Sequence, residues 1–382
     1  MKRSTERILT THTGSLPRPA EVQELLYVQE RGEPFDQAIF EEKVCSAVQA
    51  AVRQQVAAGI DIINDGEMSK ISYVTYVKHR LTGFSHGDAP RRRVWADLEE
   101  FPAYAQRLWQ PAGGSVTSAT ACTGPVSYVG TEVVEQDIVN LKAALQGAEN
   151  ADVFMTAASP GVITFFHENR YYPSHEAYVF ALADAMKQEY DTISQAGLLL
   201  QVGCPDLGAG RSTLFAHAPL EEFRHWAMTN LEALNYALRD IPADRMRLHL
   251  CWGNYEGPHH HDVPLRDIID LVLQARPAGL SFEAANPRHE HEWTMFAEVK
   301  LPEEKVLIPG ILDSTTNFIE HPELAAQRIV RFASLVGRER VIAGTDCGFA
   351  TFAGSSLVDP DIAWAKLHAL TEGARLASQQ LW

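Results

Sequence analysis

The sequence predicts a mixed α/β protein folded as a single (β/α)8 TIM barrel over residues 1–382, with an insertion after the second strand. Three observations carry that expectation. Eight short apolar runs of strand length recur along the chain, and amphipathic segments with helix start and stop signals separate most of them. The chemistry-bearing residues also cluster at the carboxyl ends of those runs, where barrel enzymes build their sites. At 382 residues the chain is within what one barrel with an insertion absorbs.

Each element can be justified in order. ILTTHTGS (8–15) is the first strand. It leads to EEKVCSAVQAAVRQQVAAG, where Val44, Val48, Val52 and Val56 repeat every four residues and Gly59 is a natural stop. DIINDGE (61–67) is the second strand. Residues 78–150 fit no βα unit; they hold RRRVWADLEE, a Gly-Gly pair and the strand-like SATACTGPVSYVG, and read as an accessory insertion over one barrel mouth. The remaining strands are VFMTAASPG (153–161), GLLLQVGCPDL (197–207), RLHLCWGN (247–254), GLSFEAAN (279–286), VLIPGILDS (306–314) and RVIAGTDCGF (340–349). PLEEFRHWAMTNLEALNYALRD places Pro219 at a first helical position with acidic residues in the first turn. A further helix runs from Pro322 to a terminating Gly337, and the closing segment PDIAWAKLHALTEGARLASQQLW has an apolar face for the barrel or a partner.

Composition narrows the function. Apolar residues make up 46%, ordinary for a protein with a large core. A formal charge of −16 argues against nucleic acid and anionic membrane surfaces. No apolar stretch is long enough to span a bilayer. The opening MKRSTERILTTHTGS lacks an apolar signal core, so a secretory signal is not expected. Cys45, Cys122, Cys204, Cys251 and Cys347 are odd in number and widely spaced, which suits a reducing cytoplasm rather than a disulfide framework.

His249 and Cys251 are two apart, so on a strand both side chains face the same way. With Glu283 and Cys347 at two other strand ends, they make a plausible zinc site with two thiolates, an imidazole and a carboxylate. Taken alone, H-x-C favours a packing role, because cysteine is among the most buried residue types. Co-location at three strand ends shifts the balance. Glu283 adds weight, since a carboxylate in an apolar strand is expensive unless paired or metal-bound. The histidine-rich HHHD (259–262) and RHEHE (288–292) sit in polar, loop-like contexts and are expected at the mouth or surface, outside the metal shell.

The order GSLPRP, DGE, PDL, H-x-C, an isolated Glu and DCGF resembles the catalytic barrel of the cobalamin-independent methionine synthase superfamily, in its short single-barrel form. The resemblance covers nearly the whole chain apart from the insertion. It implies a zinc-dependent methyltransferase in which a zinc-bound thiolate attacks an electrophilic methyl carbon. The thiol would be a small homocysteine-like molecule and the partner an alkyl donor. Carried over by motif, His249, Cys251, Glu283 and Cys347 are the zinc ligands, with Glu283 the most readily displaced. Ser15 matches the turn that holds the amino-acid carboxylate and Glu67 the group that pairs with its ammonium. His12, with Arg18 nearby, is a further candidate contact for an anionic substrate.

Two departures from the family stand out. Its methionine synthases carry Asp-Glu-Pro on the fourth strand; here the stretch is Gly203-Cys204-Pro205, leaving Asp206 to take part of that role. On the seventh strand, within Leu312-Asp313-Ser314-Thr315, threonine stands where their general-acid histidine would fall, which leaves Asp313 or His321 as candidates to substitute. A weak donor such as methyltetrahydrofolate needs its leaving nitrogen protonated, so this change weakens the case for folate. A sulfonium compound, a methylated corrinoid or an epoxide would avoid that need. A zinc hydrolase is a rival from another class, disfavoured by two thiolates that reduce Lewis acidity; a non-enzymatic barrel would hold no metal. Trp95, Tyr104 and Trp109 could stack on a flat cofactor or simply pack the insertion. Tyr73, Tyr76, Tyr171 and Tyr172 are candidates for lining the cavity.

Overall fold

The computed structural model describes residues 1–86, 95–108, 120–146, 151–355 and 357–382. Its eight-stranded parallel sheet comprises β1 (Leu9–Thr10), β2 (Ile62–Ile63), β3 (Asp152–Ala158), β4 (Leu199–Gly203), β5 (Met246–Leu250), β6 (Gly279–Phe282), β7 (Val306–Leu312) and β8 (Ile342–Thr345). All eight fall on the apolar runs read from the sequence. Neighbours follow chain order, β8 pairs β1, and a parallel bridge between Thr11 and Ile62 brings β1 back to β2. The ring is a TIM barrel.

Leu9, Ile62, Leu199, Val306 and Ile342 open their strands, and with Phe154 and Ile308 they form a separate apolar cluster. Because the strands are parallel, these residues plug the amino-terminal end and leave polar groups for the other mouth. The second, larger core lies between strands and helices. Asp36 caps helix Gln37–Ala57 by accepting from Ala38 N and Ile39 N; Val44, Val48 and Val52 face inward, while Val56 is exposed. Pro219 is the N-cap of Leu220–Ala237, one position before the expected one, because its extended backbone precedes the first turn. The closing helix Pro360–Leu381 packs its buried face on Pro322–Val336.

After β2 the chain leaves the ring. Phe84–His86 pairs antiparallel with Thr120–Cys122, which pairs in parallel with Glu168–Asn169 from beyond β3. Helix Thr131–Ala144 rejoins the outer layer against Gln37–Ala57 and His175–Gln195. The short helices Ala96–Glu99 and Pro102–Leu108 meet the loop after β5, where Tyr104 donates to the Glu256 carbonyl. Trp109 and the Gly-Gly pair lie outside the described residues. Among those residues, no helix is long and apolar enough to cross a membrane.

Candidate active site

The strand ends bring the four expected ligands together. His249 closes β5 with Cys251 just beyond, Glu283 follows β6, and Cys347 follows β8. Cys347 Sγ is 3.0 Å from Cys251 Sγ, 3.5 Å from His249 Nε2 and 3.7 Å from Glu283 Oε1. The thiols are free and too far apart for a bond of about 2.05 Å. The 3.5 and 3.7 Å spacings match edges of about 3.3–3.8 Å expected of a tetrahedron with metal–ligand bonds of about 2.0–2.3 Å, while the two sulfurs stand closer than the edge of about 3.8 Å that two thiolate ligands would span. His249, Cys251 and Cys347 are all buried.

Electrostatics fit a cation. Burial takes His249 down to about 3, so its ring is neutral and offers a lone pair. Burial pushes the Glu283 carboxyl and the Cys347 thiol up, while a hydrogen bond from Cys347 lowers Cys251. Negative charge is thus favoured on Cys251 over Cys347 and Glu283. A divalent metal with affinity for sulfur and nitrogen would favour it on all three.

Several supporting residues were not singled out from sequence. Ser281 Oγ is 3.0 Å from His249 Nδ1 and pairs in register beside it. Trp252 N and Asn286 Nδ2 donate to the two Glu283 oxygens at 2.7 and 2.8 Å. Asp346 accepts from the backbone N–H groups of Ala284, Ala285 and Asn286, bracing the turn that carries Glu283. Ser314 Oγ accepts from Cys347 N at 3.1 Å.

Ser15 and Glu67 are each 3% exposed. Glu67 holds a left-handed backbone at φ 58°, uncommon for a non-glycine residue, and its Oε2 is buried without a hydrogen-bond partner among the described residues. Gly14 lies against it at φ 146°, where a Cβ would fall 2.9 Å from Glu67 Oε1. Gly348 is equally constrained, since a Cβ there would fall 2.0 Å from Ser15 Oγ. Phe349 N donates to Ser15 O at 2.9 Å, which joins the Ser15 turn to the segment carrying Cys347.

The other expected residues sit apart. His12 bonds Gln55 Oε1 at 2.8 Å, and burial lowers its pKa to about 4. Asp206 accepts from Ser159 Oγ and Asn230 Nδ2, and burial raises its pKa to about 7. Both Asp313 oxygens are engaged by the backbone N–H and hydroxyl groups of Thr315 and Thr316. His289, expected at the mouth or the surface, is 2% exposed, stacked on Trp252 at 4.1 Å, and bonded to Asp262 and Glu292. Those carboxylates make its burial tolerable. His260 and His261 remain at the surface, both turned to Glu100.

A closed parallel barrel with two thiols, an imidazole and a carboxylate at its carboxyl end defines the class: a TIM barrel with a candidate thiolate metal centre. The chain belongs to the cobalamin-independent synthase family, whose catalytic domain matches residues 8–360. It is similar to a methionine synthase of Sulfolobus acidocaldarius, 25% identical over 375 residues, covering 97% of this chain and 93% of that relative. A methionine synthase of Saccharolobus solfataricus is 24% identical, covering 97% and 95%. Among solved structures, a B12-independent methionine synthase from a Shewanella species in complex with selenomethionine superposes with TM-score 0.73 at 18% identity, covering 98% of this chain and 99% of that one.

Proposed function

We propose that the protein is a zinc-dependent methyltransferase acting on a small homocysteine-like thiol. The observation that carries this reading is the convergence from three strand ends of Cys251, His249, Glu283 and Cys347, the first three each with an atom within 3.7 Å of the Cys347 sulfur. The family, and relatives named methionine synthase, support methyl transfer to a thiol. His249, Cys251, Glu283 and Cys347 would hold the zinc, which supplies the Lewis acidity that keeps a substrate thiol ionised at neutral pH. Glu283 is the ligand best suited to yield its place, because Trp252 N and Asn286 Nδ2 can keep its carboxylate satisfied.

The chain's own groups would orient the thiol. Glu67, with one buried oxygen unpaired, receives the substrate ammonium, and the Gly14–Ser15 turn receives its carboxylate. The sulfur then faces the donor's methyl carbon for in-line attack. Asp206 and Asp313 are the two acidic residues available to handle a proton for a donor that needs one. Of the two, Asp206 can hold a proton near neutrality, since burial raises its pKa to about 7.

Metal content of the purified protein tests the reading. About one zinc per chain is expected in the parent, with loss in both Cys251→Ser and Cys347→Ser. Homocysteine should slow alkylation of the two cysteines and should itself gain a methyl group by mass spectrometry. A protein that takes up no zinc during metal-replete expression would overturn the proposal.

A further inference from the structure

Tyr73, Phe166 and Phe352 form a triangle of rings at the barrel mouth. Tyr73 lies 5.9 Å from Phe166 at 87° and 5.7 Å from Phe352 at 78°, and the two phenylalanines are 6.3 Å apart. The rings come from three separate segments: the loop after β2, the end of helix Pro160–Phe166 after β3, and the stretch after β8 that begins with Cys347. Tyr73 N donates to Thr351 O at 3.2 Å and Ser72 bridges Phe352, which ties the first segment to the third. All three side chains are only half-buried, unlike most of the large aromatics of the core.

The triangle lies beside the metal centre. Tyr73 Cδ2 is 4.0 Å from where a Gly203 Cβ would stand, and Gly203 pairs in register with His249. Edge-to-face rings carry negative faces and attract a cation, with methylated onium groups favoured because little hydration is lost. The chain's charge of −16 adds a field of the same sense. Asp313 is a poor proton source for a leaving group, because four donors already occupy its oxygens.

We propose that the methyl donor is an onium cation, a sulfonium or quaternary ammonium compound, seated by Tyr73, Phe166 and Phe352. This rests on the reading of the site as a thiol methyltransferase. In the step, the thiolate's electron pair forms the new sulfur–carbon bond while the bond from methyl to the onium centre breaks. The broken bond's pair stays on the donor atom, which leaves as a neutral sulfide or amine. No proton moves and no oxidant enters, so the family's lost general acid is not required.

The zinc-loaded protein would be titrated with trimethylsulfonium and tetramethylammonium ions, and with tert-butanol as a neutral counterpart of similar shape. Single-turnover methylation of homocysteine by each ion then separates the two onium sources. Tighter binding of a cation than of the alcohol is expected. The onium donor's KM should rise about tenfold in Tyr73→Leu and Phe352→Leu, with metal content and homocysteine protection of the cysteines unchanged. Equal binding of the neutral compound, or an unchanged donor KM in both variants, would overturn the inference. So would transfer from a methylated folate or corrinoid but from neither onium ion, an outcome that leaves the thiol methyltransferase reading standing. Failure of every donor would remove both.

Discussion

Ser281 places one hydroxyl inside an apolar strand, and that hydroxyl decides which nitrogen of His249 faces the cysteines. With Nδ1–H donating to Ser281 Oγ, the Nε2 lone pair is left toward Cys347 Sγ. Ser281→Ala frees the ring to turn or change tautomer. Zinc affinity should then fall by roughly 10–100-fold, measured by competition with a chromogenic chelator, while the metal-free protein unfolds as the parent does. The four candidate ligands were legible as residues that meet, because each stands at the end of an apolar run. Ser281, Asn286 and Asp346 were not, because only the strand register sets Ser281 beside His249 and only the folded turn brings Asp346 under three backbone N–H groups. Glu67 is intermediate: its place after β2 was legible, its left-handed backbone was not.

The loop after β5 illustrates what pattern reading misses in an element. Its histidines read as mouth or surface residues without assigned partners; in the fold His259 bonds Asp262 at 2.7 Å and Asp262 also meets His289 at 3.2 Å. Asp97, from the short helix Ala96–Glu99, accepts from His259 N and from Tyr255 OH, and Trp95 packs so closely that a Cβ on Gly253 would fall 2.4 Å from it. Contacts like these are invisible to periodicity, because both partners lie in irregular segments. Burial alone would lower the histidine pKa values, but the carboxylates outweigh it and raise His259 to about 9 and His289 to about 10. Both exceed the unfolded value of about 6.5, so the stabilisation is fully present below that pH. It declines as pH rises and is gone above about 10, an effect on the order of a few kcal/mol. Thermal unfolding followed from pH 6 to 10 should show this decline in the parent. Asp262→Asn should unfold at lower temperature at pH 6 and show a flatter profile; an unchanged profile would mean the network carries no charge.

At the scale of the molecule, the barrel itself was legible because eight strands buried on both faces leave unbroken apolar runs. Of the small sheet outside the ring only Thr120–Cys122 was foreseen, within the strand-like SATACTGPVSYVG, because Phe84–His86 and Glu168–Asn169 lie in polar stretches without an apolar run. The ligand set links this architecture to stability. It joins the ends of β5, β6 and β8, so a bound metal would add to the ties that Asp346 and Asn254 already make across that end of the ring. A ligand present at about a thousand times its Kd stabilises by about 4 kcal/mol. For 382 residues the unfolding entropy near Tm is roughly 0.8 kcal/mol per degree, so stripping the metal should lower Tm by about 5 °C. The shift should appear with a strong chelator, reverse on adding zinc, and be absent in Cys347→Ser, which starts without the metal. A parent whose Tm ignores the chelator while its zinc is demonstrably removed would mean that the four side chains are held in place by the barrel alone. The metal would then act on the substrate without supporting the fold.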